Sequence, residues 1–436
     1  MILTLCISVA TVILMILSVL IKPYVNVGKH KLGLYWIICF IGALIILLSG
    51  CISIESAIDG ITANTSVNPI KILTLFLSMT LISVHLGDAG FFDYVANTVF
   101  AKNKNGQLKL FFILYAVISV LTVFTSNDVI ILTFTPPICL FCKKAKISPL
   151  PFLIGEFVAA NTWSMMLIVG NPTNVYLAQS AGITFAQYLS AMWLPAIVGG
   201  LTGLLIIFLL FHRQLKKPVC QNSQMIDGKN TVKIEKAPMI SAIAHLLLCI
   251  ILLAVSDTIG LEMWIICFIL AISLTLFDLI YDLIIKHTAR PVWHSIKKEP
   301  FELIPFVLSM FIIVLALKEN GITKTLSNLL ITNGKSDAIS FGFISALSAN
   351  LLNNIPMSVF FEGIIAGQSL PALYGTVIGS NVGAFITPVG ALAGIMWTKI
   401  LSDYDVKLPF LKFIAYGTCV ALPTLLTSCT VLMLIV

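Results

Sequence analysis

Charge is scarce in this chain. Of its 436 residues only 10% are Asp, Glu, Lys or Arg, against about 25% in an ordinary soluble domain. Two arginines occur, Arg213 and Arg290. Neither lies inside an apolar run, so no buried bidentate arginine is available to clamp a carboxylate or phosphate. The phosphate-cradling pattern GxxxxGK[ST] is missing. Without it the chain is not read as an enzyme, and ATP-driven pumping would need a separate ATPase subunit. The run 2–21 has neither a basic leader nor a small-residue cleavage site, so it reads as a retained span rather than a signal peptide. Paired cysteine spacing is lacking too. Ten cysteines are scattered through apolar runs, and disulfides are not expected. Cys139 and Cys142 form a CxxC without further Cys or His ligands nearby, which points to small buried hydrophobes rather than a metal or redox centre.

Apolar surface is abundant instead. Hydrophobic residues make up 58% of the chain and the mean hydropathy is +1.03. A soluble enzyme, a nucleic-acid binder and a disordered protein are thereby excluded. No water-soluble fold of this size hides so much apolar area, so the bilayer is the solvent for most of it. The net charge of +7 sits in short loops, where it acts as a topology signal.

Runs long enough to span are 2–21, 34–52, 69–86, 151–178, 188–211, 240–256, 263–285, 303–317, 372–397 and 413–435. The run 108–142 is long for one crossing and short for two. Lys102, Lys104 and Lys109 precede it, and Lys143, Lys144 and Lys146 follow it, so the positive-inside rule puts both ends on the cytoplasmic face. It is expected to enter and return as a re-entrant hairpin, turning at Thr125-Ser126-Asn127-Asp128. Lys22, Lys29 and Lys31 mark the first loop as cytoplasmic, and alternation places both termini outside. The run 341–366 is the second hairpin, turning at Asn350–Asn354. The expectation is an all-α integral membrane protein of ten transmembrane helices plus two re-entrant hairpins.

The order of features repeats. Leu77-Ser78-Met79 returns as Leu308-Ser309-Met310, Asp88-Ala89-Gly90 as Glu319-Asn320-Gly321, Ser126-Asn127-Asp128 as Leu352-Asn353-Asn354, and Ile168-Val169-Gly170 as Pro388-Val389-Gly390. Residues 1–211 form the first repeat, 212–238 a cytoplasmic linker and 239–436 the second repeat. An odd number of spans per repeat inverts one half relative to the other, an architecture common among secondary transporters. The amphipathic runs 91–101 and 322–332 precede the hairpins and are expected to lie at the interface.

Hydrocarbon forbids unpaired backbone polar groups except beside protein or a water-filled cavity. Each half breaks this rule twice: at its hairpin turn and at an interrupted span. The interruptions are Gly170-Asn171-Pro172-Thr173-Asn174 within 151–178 and Thr387-Pro388-Val389-Gly390 within 372–397. Proline frees a carbonyl that can hold a cation, and half-helix N-termini favour anions or electron-rich oxygens. One such motif alone reads as a kink held by interhelical Asn and Thr; four placed symmetrically read as a binding site. Asp128 is the candidate for proton or cation coupling, or else a helix cap. Glu156 is expected to snorkel to the interface, Glu362 has no evident partner, Asp88 and Glu319 read as interface caps, and His85 and His245 as lone structural histidines.

The segments GDAGFFDYVANTVF, TSNDVIILTFTPP, NLLNNIPMS and VIGSNVGAFITPVGALAGIMW resemble the ArsB-type arsenite/antimonite permeases of the ion transporter superfamily, which also holds NhaD-type sodium/proton antiporters and divalent anion:sodium symporters. The resemblance runs nearly end to end. It implies a homodimer moving by an elevator mechanism, driven by Na+ or H+ as coupling ion. Carried over by motif, it places Ser126, Asn127, Asn171, Thr173, Asn353, Asn354, Thr387 and Pro388 against substrate or ion, with Asp128, Gly170, Pro172 and Gly390 in the same turns. The chain departs from the family at Asn161 and Asn381, where the permeases carry Asp. The leading expectation is arsenite or antimonite efflux. The alternatives are a sodium-coupled carboxylate symporter, a sodium/proton antiporter and an uncoupled channel-like protein.

Overall fold

The computed structural model describes residues 1–21, 24–27, 30–63, 68–102, 106–218, 234–298, 300–330 and 334–436. Helix α1 (Ile2–Ile21) leads to β1 (Tyr24–Val27) and β2 (His30–Gly33), then α2 (Leu34–Leu48) and α3 (Ile54–Thr62). Next come α4 (Pro69–Asp88), α5 (Phe91–Lys102) and a helical hairpin of α6 (Gln107–Phe124) and α7 (Asn127–Ala145). An interrupted pair follows, α8 (Leu150–Trp163) and α9 (Pro172–Ser180), then the long α10 (Phe185–Leu215). The second half opens with α11 (Lys236–Ala254), the one-turn α12 (Ser256–Ile259), α13 (Met263–Tyr281) and α14 (Arg290–Lys298). It then repeats the earlier order: α15 (Leu303–Glu319), α16 (Ile322–Leu329), a hairpin of α17 (Asp337–Leu352) and α18 (Asn354–Ile365), the interrupted pair α19 (Leu370–Gly383) and α20 (Leu392–Asp403), and α21 (Phe410–Ile435).

A helix–turn–helix stands at each run read as a hairpin, and a helix break at each run read as interrupted. Six helices among the described residues are long and apolar enough to cross a bilayer: α4, α6, α10, α11, α13 with the π turn that continues it, and α21. The all-α expectation needs one correction, because β1 and β2 pair antiparallel, Tyr24 opposite Gly33. The reason is local: the segment is too short and too polar for a membrane helix, and a hairpin pairs its own backbone. Helices α3 and α14, both strongly amphipathic, were also unforeseen. Lys22, Lys29, Lys104, residues 331–332 and most of the 212–238 linker fall outside the described residues.

Local chemistry sets the helix ends. Asn68 accepts from the backbone N–H groups of Ile70 and Lys71, with Pro69 in the first turn of α4, and Thr184 with Gln187 closes a reciprocal capping box on α10. Gly90 and Gly321 both adopt positive φ, +87° and +75°, just past the ends of α4 and α15. There the chain leaves the end of α4 or α15 as only glycine does without strain. The bend between α15 and α16 is 70°, so α16 departs from the span instead of extending it. Each of α5 and α16 packs on the second arm of its own hairpin, and the halves exchange contacts reciprocally, α7 with α20 and α9 with α18.

Arm α17 is welded to α19. Gly375, Gly379 and Gly383 recur every four residues along one face of α19, where an added Cβ would meet Ala338, Ser345 with Gly342, and Ala346 of α17. Without a hydrophobic drive between helices in lipid, such small-residue stripes let two backbones close to van der Waals distance.

His85 is not solitary. It is 3% exposed in α4, its Nδ1 lies 2.7 Å from Asp278 Oδ2 on α13, and its Nε2 lies 3.2 Å from Thr275 Oγ1. The Thr275 hydroxyl also lies 2.7 Å from the Ala271 carbonyl, so imidazole, carboxyl and hydroxyl form one buried polar cluster between α4 and α13. Leaving one member of a buried pair unmatched costs about 3–5 kcal/mol, whereas replacing both with apolar residues is near neutral. Asp278→Leu is therefore expected to lower the unfolding midpoint in detergent markedly, and the double variant His85→Leu/Asp278→Leu to recover most of it. An additive double variant would show that the two do not act as a pair.

Candidate functional site

Both interruptions are places where helix carbonyls lose their N–H partners. In the first, α8 stops at Trp163, two 3-10 turns carry Ser164–Met166 and Ile168–Gly170, and α9 restarts at Pro172. The freed carbonyls of Ser164 and Leu167 both accept from Asn174 Nδ2, at 2.9 and 3.2 Å. Asn171 caps α9, its Oδ1 accepting from the Thr173 backbone N–H and hydroxyl at 3.2 Å each. Gly170 passes so close to the Ser164 carbonyl that any Cβ would collide with it.

The second interruption is closed by its own hairpin. Asn353 Nδ2 donates to the Val389 carbonyl at 3.0 Å, and the Asn354 backbone N–H to the Gly390 carbonyl at 2.9 Å. Asn350 Nδ2 donates to the Gly383 carbonyl at 2.9 Å, while its Oδ1 accepts from the Thr387 backbone N–H at 2.9 Å. Asn353 holds φ +72° and ψ 151°, a region normally left to glycine. Asn353→Gly should therefore restore backbone ease while losing the Val389 bond, whereas Asn353→Ala loses the bond and keeps the strain. Alanine is expected to be the less stable of the two by about 1–2 kcal/mol, read from thermal unfolding; equal midpoints would remove the strain argument.

Asn381 on α19 joins the two regions. Its Oδ1 accepts from Ser164 Oγ at 3.1 Å and Asn171 Nδ2 at 3.0 Å, and its Nδ2 donates to Asn174 Oδ1 at 2.7 Å and the Val377 carbonyl at 2.9 Å. Ser380 Oγ pairs with Thr173 Oγ1 at 3.1 Å. Ser164 also donates to the Asn161 carbonyl, and Asn161 Oδ1 accepts from Asn127 Nδ2 of the first hairpin tip at 3.1 Å. One chain of amides and hydroxyls thus runs from Asn127 through Asn161, Ser164 and Asn381 to Asn171, Asn174, Thr173 and Ser380, all within 1% of full burial. Among the described residues no hydrogen bond joins the two hairpin tips directly; α19 bridges them.

Among the described residues, three polar oxygens at these turns find no hydrogen-bond partner: Asn127 Oδ1, Asn354 Oδ1 and Thr387 Oγ1. An unmet buried acceptor in a low-dielectric site is costly, and such atoms mark where a ligand would bond. Ser126, not Asp128, caps α7, accepting from the Asp128 backbone N–H at 3.2 Å. Asp128 stands half-buried in the first turn, where a helix N-terminus favours negative charge. Gly170 and Pro172 contribute backbone geometry, and Pro388 and Gly390 form the turn before α20. Glu362 is not unpartnered, since Lys318 Nζ lies 3.4 Å away. Glu156 does not snorkel: it is 1% exposed and accepts from Thr135 Oγ1 at 2.8 Å. Asn350 and Asn174 were named within the turn and interruption motifs but not as binding residues, and Ser164 and Ser380 were not singled out from sequence. Asn174 and Asn350 stand three residues from Asn171 and Asn353, one turn along, and that spacing is the signal they offered.

A family model described as citrate transporter matches residues 32–371. The arsenical pump membrane protein of Escherichia coli (strain K12) is 26% identical over 375 residues, 82% of this chain and 85% of that one. A second E. coli protein of the same name is 25% identical over 421 residues, 92% and 94% of the two chains. The putative arsenical pump membrane protein of Bacillus subtilis (strain 168) is 24% identical over 404 residues. In fold, the chain is similar to the Alcanivorax borkumensis YdaH transporter (TM-score 0.58, 13% identity, 99% and 97% covered) and to Neisseria gonorrhoeae MtrF (TM-score 0.56, 13% identity, 99% and 94% covered).

Proposed function

This multi-pass membrane transporter belongs to the citrate transporter family, and on that footing we propose that it exports arsenite or antimonite at the expense of an ion gradient. The neutrality of the buried network carries this reading. Its members are amides and hydroxyls, and among the described residues no lysine, arginine or histidine is hydrogen-bonded into it. A trianionic substrate such as citrate would be desolvated there without a counter-charge, at a large cost. Arsenite is an uncharged trihydroxide at pH 7, and its O–H donors suit the unmet oxygens of Asn127, Asn354 and Thr387. The arsenical pump relatives, similar over most of the chain, support the same substrate.

A sodium-coupled carboxylate symporter is the second reading. The family description favours it, as do the N-terminal turns of α7 and α9, whose backbone N–H groups suit an anion. In both readings the halves are inverted repeats whose two hairpins are re-entrant, giving ten spans with both termini outside. The chain works as a homodimer in which a mobile unit slides against a scaffold, and the coupling ion is H+ or Na+. The reciprocal packing of α7 with α20 and of α9 with α18 supports the repeat relation.

The test is uptake by proteoliposomes under imposed proton or sodium gradients. Arsenite accumulation that collapses with the gradient is the expected result. Sodium-dependent citrate uptake without arsenite movement would replace the first reading with the second.

A further inference from the structure

Glu156 lies in α8, in the same helix as Asn161 and outside the amide network. One carboxylate oxygen accepts from Thr135 Oγ1 on α7 at 2.8 Å; the indole N–H of Trp397 on α20 stands beside the carboxyl, and among the described residues neither it nor Oε2 completes a well-formed hydrogen bond. Phe157, Trp397 and Phe413 form an aromatic wall with centroids 5.0, 5.6 and 5.7 Å apart. A carboxyl group this deep in a membrane protein is expensive to retain and by default functional.

A cavity lies near it. Between the end of α7, the start of α8 and the loop after α20 lies a cavity of about 350 Å³, lined among others by Cys139, Lys143, Leu150, Tyr404 and Lys407. Cys139 is 3% exposed, one turn beyond Thr135 on the same face of α7, and within electrostatic reach of Glu156. Other ionisable groups on the elements packed around Glu156 are Lys109 and Tyr115 on α6, Asp128, Cys142, Lys143 and Lys144 on α7, Tyr188, His212 and Arg213 on α10, Tyr374 on α19, and Lys399 and Asp403 on α20. Among the described residues none of these is hydrogen-bonded to it.

We propose that Glu156 is a proton-binding site of the transporter, loaded from the Cys139–Lys143 cavity. The proposal rests on the ion-driven reading above and deepens it by choosing the proton. The chemistry of the neighbours selects H+ over Na+. A metal cation needs several oxygen acceptors around it; here the indole N–H of Trp397 can only donate, and Thr135, whose one hydroxyl proton lies between the Ile131 carbonyl at 2.6 Å and Glu156 at 2.8 Å, is the single further side-chain oxygen hydrogen-bonded to the carboxyl among the described residues. Such a pocket holds either a carboxylate, with Trp397 free to close on Oε2, or a carboxylic acid bearing the proton itself. The bond made is O–H on the carboxylate, and the proton comes from and returns to water. Because Trp397 belongs to the second repeat and Glu156 to the first, the protonation state alters a contact between the halves.

The experiment is infrared titration of the purified full-length protein in lipid. A protonated-carboxyl stretch that titrates with pH is expected in wild type and lost in Glu156→Gln; an unchanged titrating band in Glu156→Gln overturns the proposal. Should the glutamine variant not fold, Glu156→Asp is expected to keep a titrating band at altered frequency, and an unaltered band would overturn the assignment equally. Cys139→Phe should slow the response of the band to a pH jump, and an unslowed response would exclude the cavity as the route. In proteoliposomes holding a pH-sensitive dye, an arsenite gradient should drive proton flux in wild type and at least tenfold less in Glu156→Gln. A wild type that moves no arsenite would refute the substrate, with the infrared titration still deciding on Glu156.

Discussion

Asn381→Ala is expected to abolish arsenite transport and to cost about 3–5 kcal/mol of stability. The side chain makes four hydrogen bonds to groups that are themselves buried: Ser164 Oγ, Asn171 Nδ2, Asn174 Oδ1 and the Val377 carbonyl. Removing it strands several donors and acceptors at once, each worth about 1–3 kcal/mol when unmet. Some relief comes from alternative partners, since Ser164 still reaches the Asn161 carbonyl, which is why the estimate falls short of the sum. Asn381→Asp is the sharper variant. It is isosteric and keeps the acceptor for Ser164 and Asn171, but its second oxygen would face the Asn174 oxygen, now 2.7 Å from a donor. Thermal unfolding in detergent together with reconstituted flux would check both variants. Wild-type flux in Asn381→Ala would place the substrate elsewhere.

Gly379→Val should be more damaging still. A Cβ at this position already collides with Ser345 Oγ and the Gly342 carbonyl of α17, and a branched side chain would force the two helices apart by several ångströms. Overpacking a core commonly costs about 1–3 kcal/mol when neighbours can shift; here one neighbour is backbone, which cannot. The expected outcome is loss of folded protein from the membrane fraction, measured by size-exclusion of a fluorescent fusion. Gly60→Ala collides with the flexible end of Leu315 and otherwise makes an ordinary contact with Phe311, and is expected to leave the elution profile unchanged. Equal recovery of Gly379→Val and wild type would show that α17 and α19 are not held at that distance.

Sequence carried the large features because lipid imposes hard rules. Hydropathy, loop lysines and turn clusters located both hairpins and both interruptions, since each must satisfy its backbone without water. The same rules say nothing of who supplies the missing partners. That Asn174 serves the carbonyls of Ser164 and Leu167 while Asn353 serves that of Val389 depends on tertiary approach. Position along a helix misled at Glu156, where distance from Pro151 suggested an interface and the packing of α7 and α20 buried it. His85 looked alone because its partner lies 190 or more residues away, on α13. The β-hairpin escaped because a short polar loop carries too few residues for period-two alternation to stand out.

The asymmetry between the interruptions bears on biogenesis. Break two obtains its donors from a hairpin made just before it, so it can close as soon as it emerges from the ribosome. Break one takes an acceptor for Asn171 and Ser164, and a donor for Asn174, from Asn381, which is synthesised roughly two hundred residues later. Throughout that interval the nascent first half sits in the bilayer with its central amides incompletely matched. Those amides gain these partners only once α19 is in place.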